Sequence, residues 1–360
     1  MPTCRVFEEH RVIEHYREQI LAAAADKRAL RIRAGGTKDW YGQEPAGEVL
    51  DVRGHSGIVA YEPSELVITA KSGTPLADIE AALAEHGQCL AFEPPHFGAG
   101  ATLGGAIASG LSGPRRAYAG AVRDFVLGAT LMDGKGEVLN FGGQVMKNVA
   151  GYDVARLLAG SLGTLGLMLQ HSIKVLPHQP SEATLRFEMP ETQALLRLNE
   201  WGGQPLPLSA SCWHAGVLTL RLSGAQAAVQ AAVASLGGER IDGQAFWASL
   251  REQQHAFFEG ETAWWRVSLP STAAPLGLDA PQLIEWGGAQ RWLRMDAAVA
   301  PTLRAQVAAL GGHATLFRPG GGGDRAVGVF HPLAPAVAKI HTRLKAAFDP
   351  AGVFNPGRMG

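Results

Sequence analysis

The sequence has 360 residues, of which 46% are hydrophobic and 18% charged, and its formal net charge is −1. This balance predicts a folded chain with a large core and excludes extensive disorder. A nearly neutral chain also lacks the basic charge that is typical of nucleic-acid-binding proteins, so we expect no nucleic-acid partner. The length suits two domains.

The first 180 residues alternate between helical and extended patterns. Apolar residues recur at helical spacing between residues 12 and 24, and an amphipathic pattern from Pro75 to Gly87 predicts a second helix. Two apolar runs separated by a glycine-containing turn predict a hairpin over 124–143. Further strands are predicted at 29–34, 48–52, 57–61, 66–71 and 166–177, and a further helix at 152–160.

The composition changes at Pro177-His178-Gln179-Pro180, where we predict a domain boundary. Residues 184–330 then repeat a strand–helix–strand pattern, which predicts an α+β domain with an antiparallel sheet and with two ferredoxin-like halves as one arrangement of it. A last helix is predicted at 334–349. The predicted domains are residues 1–178, 179–332 and 333–360.

Glycine is the unusual component of this sequence. The 45 glycines are one residue in eight, against a usual share of about 7%. They cluster in three segments, 32–42, 94–114 and 160–167. Successive backbone amides in such loops can hold a pyrophosphate, and glycine allows the close approach that this requires. Each loop alone could be an ordinary tight turn, but three of them together indicate a dinucleotide site.

Common nucleotide and hydrolase motifs are missing from these loops. Gly98 and Gly100 are followed by Leu103 where a Rossmann fingerprint needs its third glycine. The sequence contains no P-loop, no GxSxG and no HExxH motif. Its three cysteines, Cys4, Cys89 and Cys212, are too widely spaced for a zinc knuckle, a CxxC pair or a four-thiolate iron–sulfur cluster. We therefore expect reduced thiols and a site of another kind.

The glycine-rich segments resemble the FAD-binding domain of the vanillyl-alcohol oxidase/p-cresol methylhydroxylase family. The first two pyrophosphate loops are similar to IRAGGTK and ATLGGAIASGLSGP, and the third is similar to residues 147–167. The tail FDPAGVFNPGRM at 348–359 is also typical, and residues 211–225 and 311–318 are similar to the small FAD-binding subunits of bacterial glycolate oxidases. This resemblance implies a PCMH-type FAD-binding domain of two α/β subdomains, an α+β cap domain and a C-terminal helix that returns to the FAD domain.

The resemblance also assigns contacts with FAD to particular residues. The first loop would offer backbone amides to the pyrophosphate, the second would continue toward the flavin, the third would line the flavin or ribityl chain, and the tail would close onto the first domain. Thr37 occupies the position where some relatives carry a histidine bonded to FAD, so we expect FAD to be bound non-covalently. The assigned residues are Arg33, Ala34, Gly35, Gly36, Thr37, Lys38, Pro95, Ala101, Thr102, Gly104, Gly105, Ser109, Gly110, Gly113, Pro114, Gly163, Thr164, Gly166, Leu167, Asn355 and Arg358.

Oxidation of a 2-hydroxy acid needs a base for the hydroxyl proton and a cation for the carboxylate. Arg318 is the candidate for the carboxylate, because a guanidinium is planar and always charged. His313 is the candidate base, with His331 as an alternative. Structural roles for these residues remain open. The segment 313–324 lacks the paired histidines of a metal site, so we expect no metal.

By resemblance, the chain would be an FAD-binding subunit of a 2-hydroxy acid dehydrogenase complex that oxidises glycolate to glyoxylate by hydride transfer to FAD. Its partners would be a larger FAD-binding subunit and an iron–sulfur subunit. One alternative is a non-catalytic FAD scaffold for a catalytic paralogue. Another is a free-standing reductase like UDP-N-acetylenolpyruvoylglucosamine reductase, against which the tail argues. Neither a signal peptide nor a run of 18 apolar residues occurs, so we expect a cytoplasmic protein without a transmembrane segment, held at the inner face of the membrane only through its complex.

Overall fold

A computed structural model describes residues 2–143, 153–321 and 323–360 of the chain. Residues 147–152 of the segment that resembles the third FAD loop lie outside the described residues. The first part of the chain mixes helices with an antiparallel sheet. Its elements are α1 (Pro2–Ala25), β1 (Leu30–Arg33), β2 (Glu48–Asp51), β3 (Ile58–Glu62), β4 (Val67–Lys71), α2 (Leu76–Ala84), β5 (Gln88–Cys89), α3 (Leu103–Ser109), α4 (Arg116–Ala119), α5 (Val122–Phe125), β6 (Val126–Met132), β7 (Val138–Gly142), α6 (Val154–Leu157), β8 (Leu167–Lys174) and β9 (Leu176–Pro177).

The described residues of this part form three sheets, one of them the short antiparallel pair of β5 and β9. Strands β1 and β2 are parallel, and a five-stranded antiparallel sheet has the order β3-β4-β8-β6-β7. The predicted hairpin is present, with Met132 opposite Val138. The predicted helix at 152–160 is shorter than expected among the described residues, because the chain leaves the helical conformation before Gly160, where φ is +86°.

The second part contains β10 (Ser181–Glu188), α7 (Glu191–Gly202), β11 (Leu208–His214), β12 (Val217–Gly224), α8 (Gln226–Leu236), β13 (Glu239–Ile241), α9 (Gln244–Arg251), β14 (Trp264–Ser268), β15 (Gln282–Glu285), β16 (Gln290–Arg294), α10 (Ala300–Ala309) and β17 (His313–Arg318), and α11 (Pro335–Phe348) follows. The strands form one antiparallel sheet of eight in the order β13-β10-β12-β11-β15-β16-β14-β17. We call this the cap sheet.

The cap sheet consists of two ferredoxin-like halves. Its first four strands in spatial order, β13-β10-β12-β11, have the order of a β-α-β-β-α-β unit, and β17-β14-β16-β15 repeat that order. The halves join where Cys212 of β11 lies opposite Glu285 of β15. The second half lacks a helix between β14 and β15, where Pro270, Pro275 and Pro281 interrupt the chain. The predicted α+β class with an antiparallel sheet is confirmed.

The two faces of the cap sheet pack against different partners, because successive side chains of a strand point to opposite faces. One face packs against α7, α8 and α10 through residues such as Leu220 and Trp265. The other face carries Cys212, Trp264 and Trp292, which pack with Tyr41 and Leu111 of the first part and with α9. This second face therefore positions cap residues against the glycine-rich loops. The division at residue 178 itself stays a prediction.

None of the helices in the described ranges has both the length and the hydrophobicity needed to cross a bilayer.

One buried histidine makes the stability of the fold dependent on pH. His171 in β8 is fully buried, and neither ring nitrogen has a hydrogen-bond partner among the described residues. Burial lowers the pKa of His171 to about 3, so the ring is neutral in the folded protein. In the unfolded chain the pKa is about 6.5. The unfolded state therefore binds the additional proton as the pH falls from about 6.5 toward 3, and the free energy of unfolding decreases over that window.

The substitution His171→Leu should remove this contribution. Between pH 6 and 5 the free energy of unfolding of the unsubstituted protein should fall more steeply than that of the variant, by up to about 1.4 kcal/mol per pH unit. Denaturant titrations at several pH values measure both slopes. The control is His341→Leu, which removes an exposed histidine of α11. Equal slopes for the His171 variant and the unsubstituted protein would contradict the assignment.

Candidate functional site

A cleft of about 620 Å³ lies beside the first glycine-rich loop. The backbone from Arg31 to Asp39 forms one wall, and Gly100, Thr102, Gly105, Ala108 and Ser109 of the second loop and α3 form the opposite wall. Leu162, Asn355 and Arg358 close the remaining side. Glycine backbone and positive side chains dominate this lining, which is the chemistry that a pyrophosphate needs. We call this space the cleft.

The walls of the cleft touch through glycine backbone. A Cβ atom on Gly35 would lie 1.5 Å from the carbonyl oxygen of Gly100, so no other residue fits at Gly35 without a backbone shift. At Gly36, a Cβ would lie 2.2 Å from a guanidinium nitrogen of Arg33. The first and second loops are therefore held together by a close backbone contact that glycine alone permits.

The C-terminal tail fastens the first and third loops. The side chain of Asn355 accepts a hydrogen bond from the Ile32 amide at 2.9 Å and donates to the Leu162 carbonyl at 2.6 Å. The backbone amide of Asn355 donates to the Leu30 carbonyl at 2.8 Å. Lys345 of α11 donates to the Thr164 carbonyl at 2.7 Å. The tail thus sets the distance between β1 and the third loop.

Two arginines bind backbone carbonyl groups of the first loop and of the residue that follows it. Arg358 donates to the carbonyls of Asp39 (2.7 Å), Lys38 and Gln43, and Arg325 donates to the carbonyl of Trp40 at 2.8 Å. Burial lowers the pKa of Arg358 to about 10, so it remains protonated at neutral pH. These bonds use the carbonyls of a loop whose backbone lines the cleft.

The charged side chains of the cleft are only partly compensated. Arg31 and Arg33 share the carboxylate of Asp39 at 2.5 and 2.7 Å. Lys38 donates to the His96 carbonyl at 3.2 Å, and burial lowers its pKa to about 8. The cleft therefore combines several cations with one carboxylate and favours an anionic ligand.

A second space of about 330 Å³ lies where the cap sheet meets the second loop. We call it the interface cavity. The second loop lines it with Pro95, Phe97 and residues 111–114, and the end of α9 and the cap sheet supply the rest, including Arg251, Arg266, Glu285, Trp286 and Trp292. The cleft and the interface cavity share the second loop as a wall.

Charged groups fix the cap on the second loop. The Glu93 carboxylate pairs with Arg221 of β12 at 2.9 Å and with Arg115 at 3.4 Å. The Glu252 carboxylate, at the end of α9, accepts hydrogen bonds from the amides of His96 and Phe97 at 3.1 and 2.8 Å. These contacts keep the interface cavity at a fixed place beside the loop.

Comparisons with known proteins place the chain in a family. A model of the FAD binding domain matches residues 11–142. Glycolate oxidase subunit GlcE of Escherichia coli is 49% identical over 342 residues, which cover 95% of this chain and 95% of that protein.

This chain belongs to the GlcE family of FAD-binding proteins. It binds FAD, as the matched domain does. More distant relatives include the D-lactate dehydrogenase of Archaeoglobus fulgidus (33% identical, 44% of this chain, 36% of the relative) and glycolate oxidase subunit GlcD of Bacillus subtilis (32%, 42% and 33%). A solved alkyldihydroxyacetonephosphate synthase has the same fold, with a TM-score of 0.66 over 95% of this chain and 74% of its own, at 14% identity.

The residues of this GlcE-family chain fit FAD. Glycine backbone lines the cleft where a pyrophosphate would lie, and a Cβ on Gly35 would fill the contact between its walls. Lys38 and Arg33 add positive charge there. Most of the assigned contact residues line the cleft: Arg33, Ala34, Gly35, Gly36, Thr37, Lys38, Thr102, Gly105, Ser109, Asn355 and Arg358. Pro95, Gly113 and Pro114 line the interface cavity instead.

The other assigned residues support these walls from behind. Ala101 is buried, and Gly104 packs on Ser72. Gly110 packs on Gly160, Gly163 packs on the Asn355 side chain, and Thr164 bonds Ser161 and Lys345 through its hydroxyl and carbonyl, respectively. Gly166 packs on Met132, and Leu167 lies in the core beside α1, so the structure does not bring these two residues to the cleft.

The two catalytic candidates lie apart. Arg318 ends β17, where its guanidinium stacks on Trp40 at 4.0 Å and on Trp264 at 5.0 Å, while His313 is an exposed residue at the start of the strand. About 17 Å separates the two ends of a six-residue strand. Neither residue lines the interface cavity. The structure therefore does not bring them together as a catalytic pair.

Sequence reasoning missed the polar residues of the interface cavity. Arg266 and Glu285 lie on strands of the cap sheet, and a charged residue in a strand is normally predicted to face solvent. Within the described ranges, no group of three or more histidine, cysteine, aspartate or glutamate side chains is arranged to hold a metal ion.

The close contact at Gly35 predicts that Gly35→Ala weakens FAD binding at least about tenfold, because the new methyl group forces the loops apart. Titration of the apoprotein with FAD, followed by flavin fluorescence, measures the affinity. The matched control is Gly54→Ala, since nothing lies within 4 Å of a Cβ at that position. An alanine variant of Gly35 with unchanged FAD affinity and melting temperature would contradict this view of the cleft.

Proposed function

We propose that this chain is the FAD-binding subunit of a flavin-dependent 2-hydroxy acid dehydrogenase complex that oxidises glycolate to glyoxylate. The proposal rests on one observation: the cleft and the interface cavity have the second loop as a common wall. A cleft suited to FAD and a cavity suited to a small substrate lie on the same loop, residues 94–114. The similarity to GlcE over 95% of both chains supports the choice of glycolate.

The residues of the chain would divide the work between the two spaces. The first loop, with Arg33 and Lys38, would bind the anionic part of FAD, and the tail, through Asn355 and Arg358, fixes the loops relative to each other. The aromatic walls of the interface cavity, Phe97, Trp286 and Trp292, exclude water from a bound substrate. When bound, FAD supplies the acceptor for the two electrons of the oxidation. Its binding is non-covalent in this proposal, because Thr37 lines the cleft where a bonding histidine would be needed.

Partners of two kinds complete the proposed complex. GlcD is by its name a subunit of a glycolate oxidase, and its similarity to this chain supports a larger FAD-binding subunit as one partner. An iron–sulfur subunit would accept electrons, since the described cysteines, Cys89 and Cys212, are free and far apart in the chain. The complex would lie in the cytoplasm, and its contact with the inner face of the membrane would be made through these partners.

One observation favours a second candidate, in which the chain is a non-catalytic FAD scaffold. The lining of the interface cavity includes no histidine among the described residues, and His313 lies at the far end of β17. In this case the paralogous subunit would oxidise the substrate, and FAD in this chain would store or relay electrons.

Anaerobic addition of glycolate to the purified, FAD-loaded chain tests the proposal. We expect the visible flavin absorbance to bleach, and acid precipitation beforehand to leave FAD in the supernatant. Acetate is the control, because it has the carboxylate without the hydroxyl group. Bleaching of this chain's flavin only after addition of the larger subunit would support the scaffold. An oxidised flavin under both conditions would overturn the proposed function.

A further inference from the structure

The interface cavity contains a cation that lacks a charged partner among the described residues. Arg266 projects from β14 into the cavity, and its guanidinium donates to the Tyr41 hydroxyl at 3.1 Å. The same group lies over the Phe317 ring at 5.1 Å and the Tyr41 ring at 5.8 Å. Aromatic contacts orient a guanidinium and leave its remaining donors available. Arg266 is therefore placed to bind a carboxylate.

A second guanidinium approaches from the first part of the chain. Arg116 of α4 stacks on Trp286, a wall of the cavity, at 4.4 Å. Burial, followed by the charges of Arg123 and Arg266, lowers the pKa of Arg116. Arg116 and Arg266 are thus close enough to repel each other. A bound anion would relieve this repulsion.

A buried carboxyl group lies on the same cavity. Glu285 of β15 is 4% exposed, and its Oε2 atom accepts hydrogen bonds from Trp292 at 2.7 Å and Gln290 at 3.1 Å. Burial raises the pKa of Glu285 to about 7. Near neutral pH the group therefore exists in part as the neutral acid, which can donate a hydrogen bond and does not repel an anion.

The walls of the cavity restrict its ligand. Phe97, Trp286 and Trp292 form aromatic walls around a narrow free space. A ligand the size of a nucleotide is therefore excluded, and only a small molecule can reach the polar groups between these walls.

We propose that the interface cavity binds a small 2-hydroxy carboxylic acid, with its carboxylate on Arg266, its hydroxyl group on Glu285 and Arg116 as a second positive charge. The identity of the ligand as a hydroxy acid rests on the proposed function. Recognition of the carboxylate by Arg266 requires no turnover and is tested separately. Arg266 takes the place of Arg318 as the carboxylate-binding residue.

Ionisation of Glu285 makes this binding dependent on pH. The titratable and charged groups around Glu285 include Glu93 and Cys212, the arginines Arg251 and Arg266 that line the same cavity, and Arg116 on the adjacent Trp286. Burial followed by the Glu285 charge raises the pKa of the Cys212 thiol well above its usual value, so this group stays neutral. Burial acts to raise the pKa of Glu93, but its arginine partners hold it below the usual value. Glu285 thus changes charge near neutrality, and affinity for an anion should fall as the pH rises above about 7.

Calorimetric titration of the FAD-loaded chain with oxalate tests the site, because oxalate carries a carboxylate and no hydrogen that can be oxidised. We expect Arg266→Gln to weaken oxalate binding about tenfold or more. Arg186→Gln, on an exposed position of the same sheet, is the matched control and should change the affinity less than about twofold. Glu285→Gln should remove most of the pH dependence between pH 6.5 and 8.

Chemical modification keeps the proposal testable if Arg266→Gln does not fold. Oxalate should protect Arg266, but not Arg186, from phenylglyoxal in the unsubstituted protein, as mapped by mass spectrometry. Loss of oxalate binding in Arg318→Gln together with unchanged binding in Arg266→Gln would overturn the proposal, as would an absence of protection. Oxalate binding that depends on Arg266 without bleaching by glycolate would refute the proposed function alone. Bleaching with oxalate binding that is insensitive to Arg266 would refute this site alone.

Discussion

The side chain of Asn355 makes the contact on which the geometry of the FAD site depends. Its amide group bonds the Ile32 amide and the Leu162 carbonyl, and these residues belong to segments 323 and 193 positions earlier in the chain. Asparagine suits this place, because it tolerates the left-handed backbone found here (φ +41°) and both donates and accepts hydrogen bonds. The tail is itself fixed by the buried Asp349 carboxylate, which accepts from the amides of Val353 and Phe354. The last residues of the chain thus complete a site whose other walls come from its first half.

The cap depends on the same loops in a different way. Its sheet uses one face for its own helices and the other for the first part of the chain. On that second face, Arg221 and Arg266 stand on different strands and have different surroundings. Arg221 is 4% exposed and forms a salt bridge with Glu93, so its charge is neutralised by a contact that holds the cap in place. Arg266 forms no salt bridge with a described carboxylate and contacts the Tyr41 hydroxyl group and aromatic rings, which leaves its charge for a ligand. Comparison of these two arginines separates a structural from a binding role.

The sequence permits good predictions where the physical requirement is local. Close approach of two backbones requires glycine, so the position of the cleft at Gly35 and Gly36 could be predicted from the sequence alone. The sequence predicts less where the need for a particular residue type arises from contacts between residues far apart in the chain. The resemblance assigns Gly166 to the flavin, whereas in the structure a Cβ at this position would lie 2.7 Å from the Met132 carbonyl oxygen, away from the lining of the cleft. Arg318 was the candidate for the substrate carboxylate, but its guanidinium lies over Trp40 of the first loop and outside the lining of the interface cavity. Strand β15, which carries Glu285, has four residues and too little alternation to be recognised.

The central claim is that the glycine-rich loops bind the pyrophosphate of FAD. Comparison of the apoprotein's affinities for FAD and FMN tests it most directly, because both ligands carry the same flavin and only FAD has a pyrophosphate. The account predicts that FAD binds at least about a hundredfold more tightly, which corresponds to about 2.7 kcal/mol from the second phosphate and the adenosine that FAD adds to FMN. Equal affinities for FAD and FMN would contradict it.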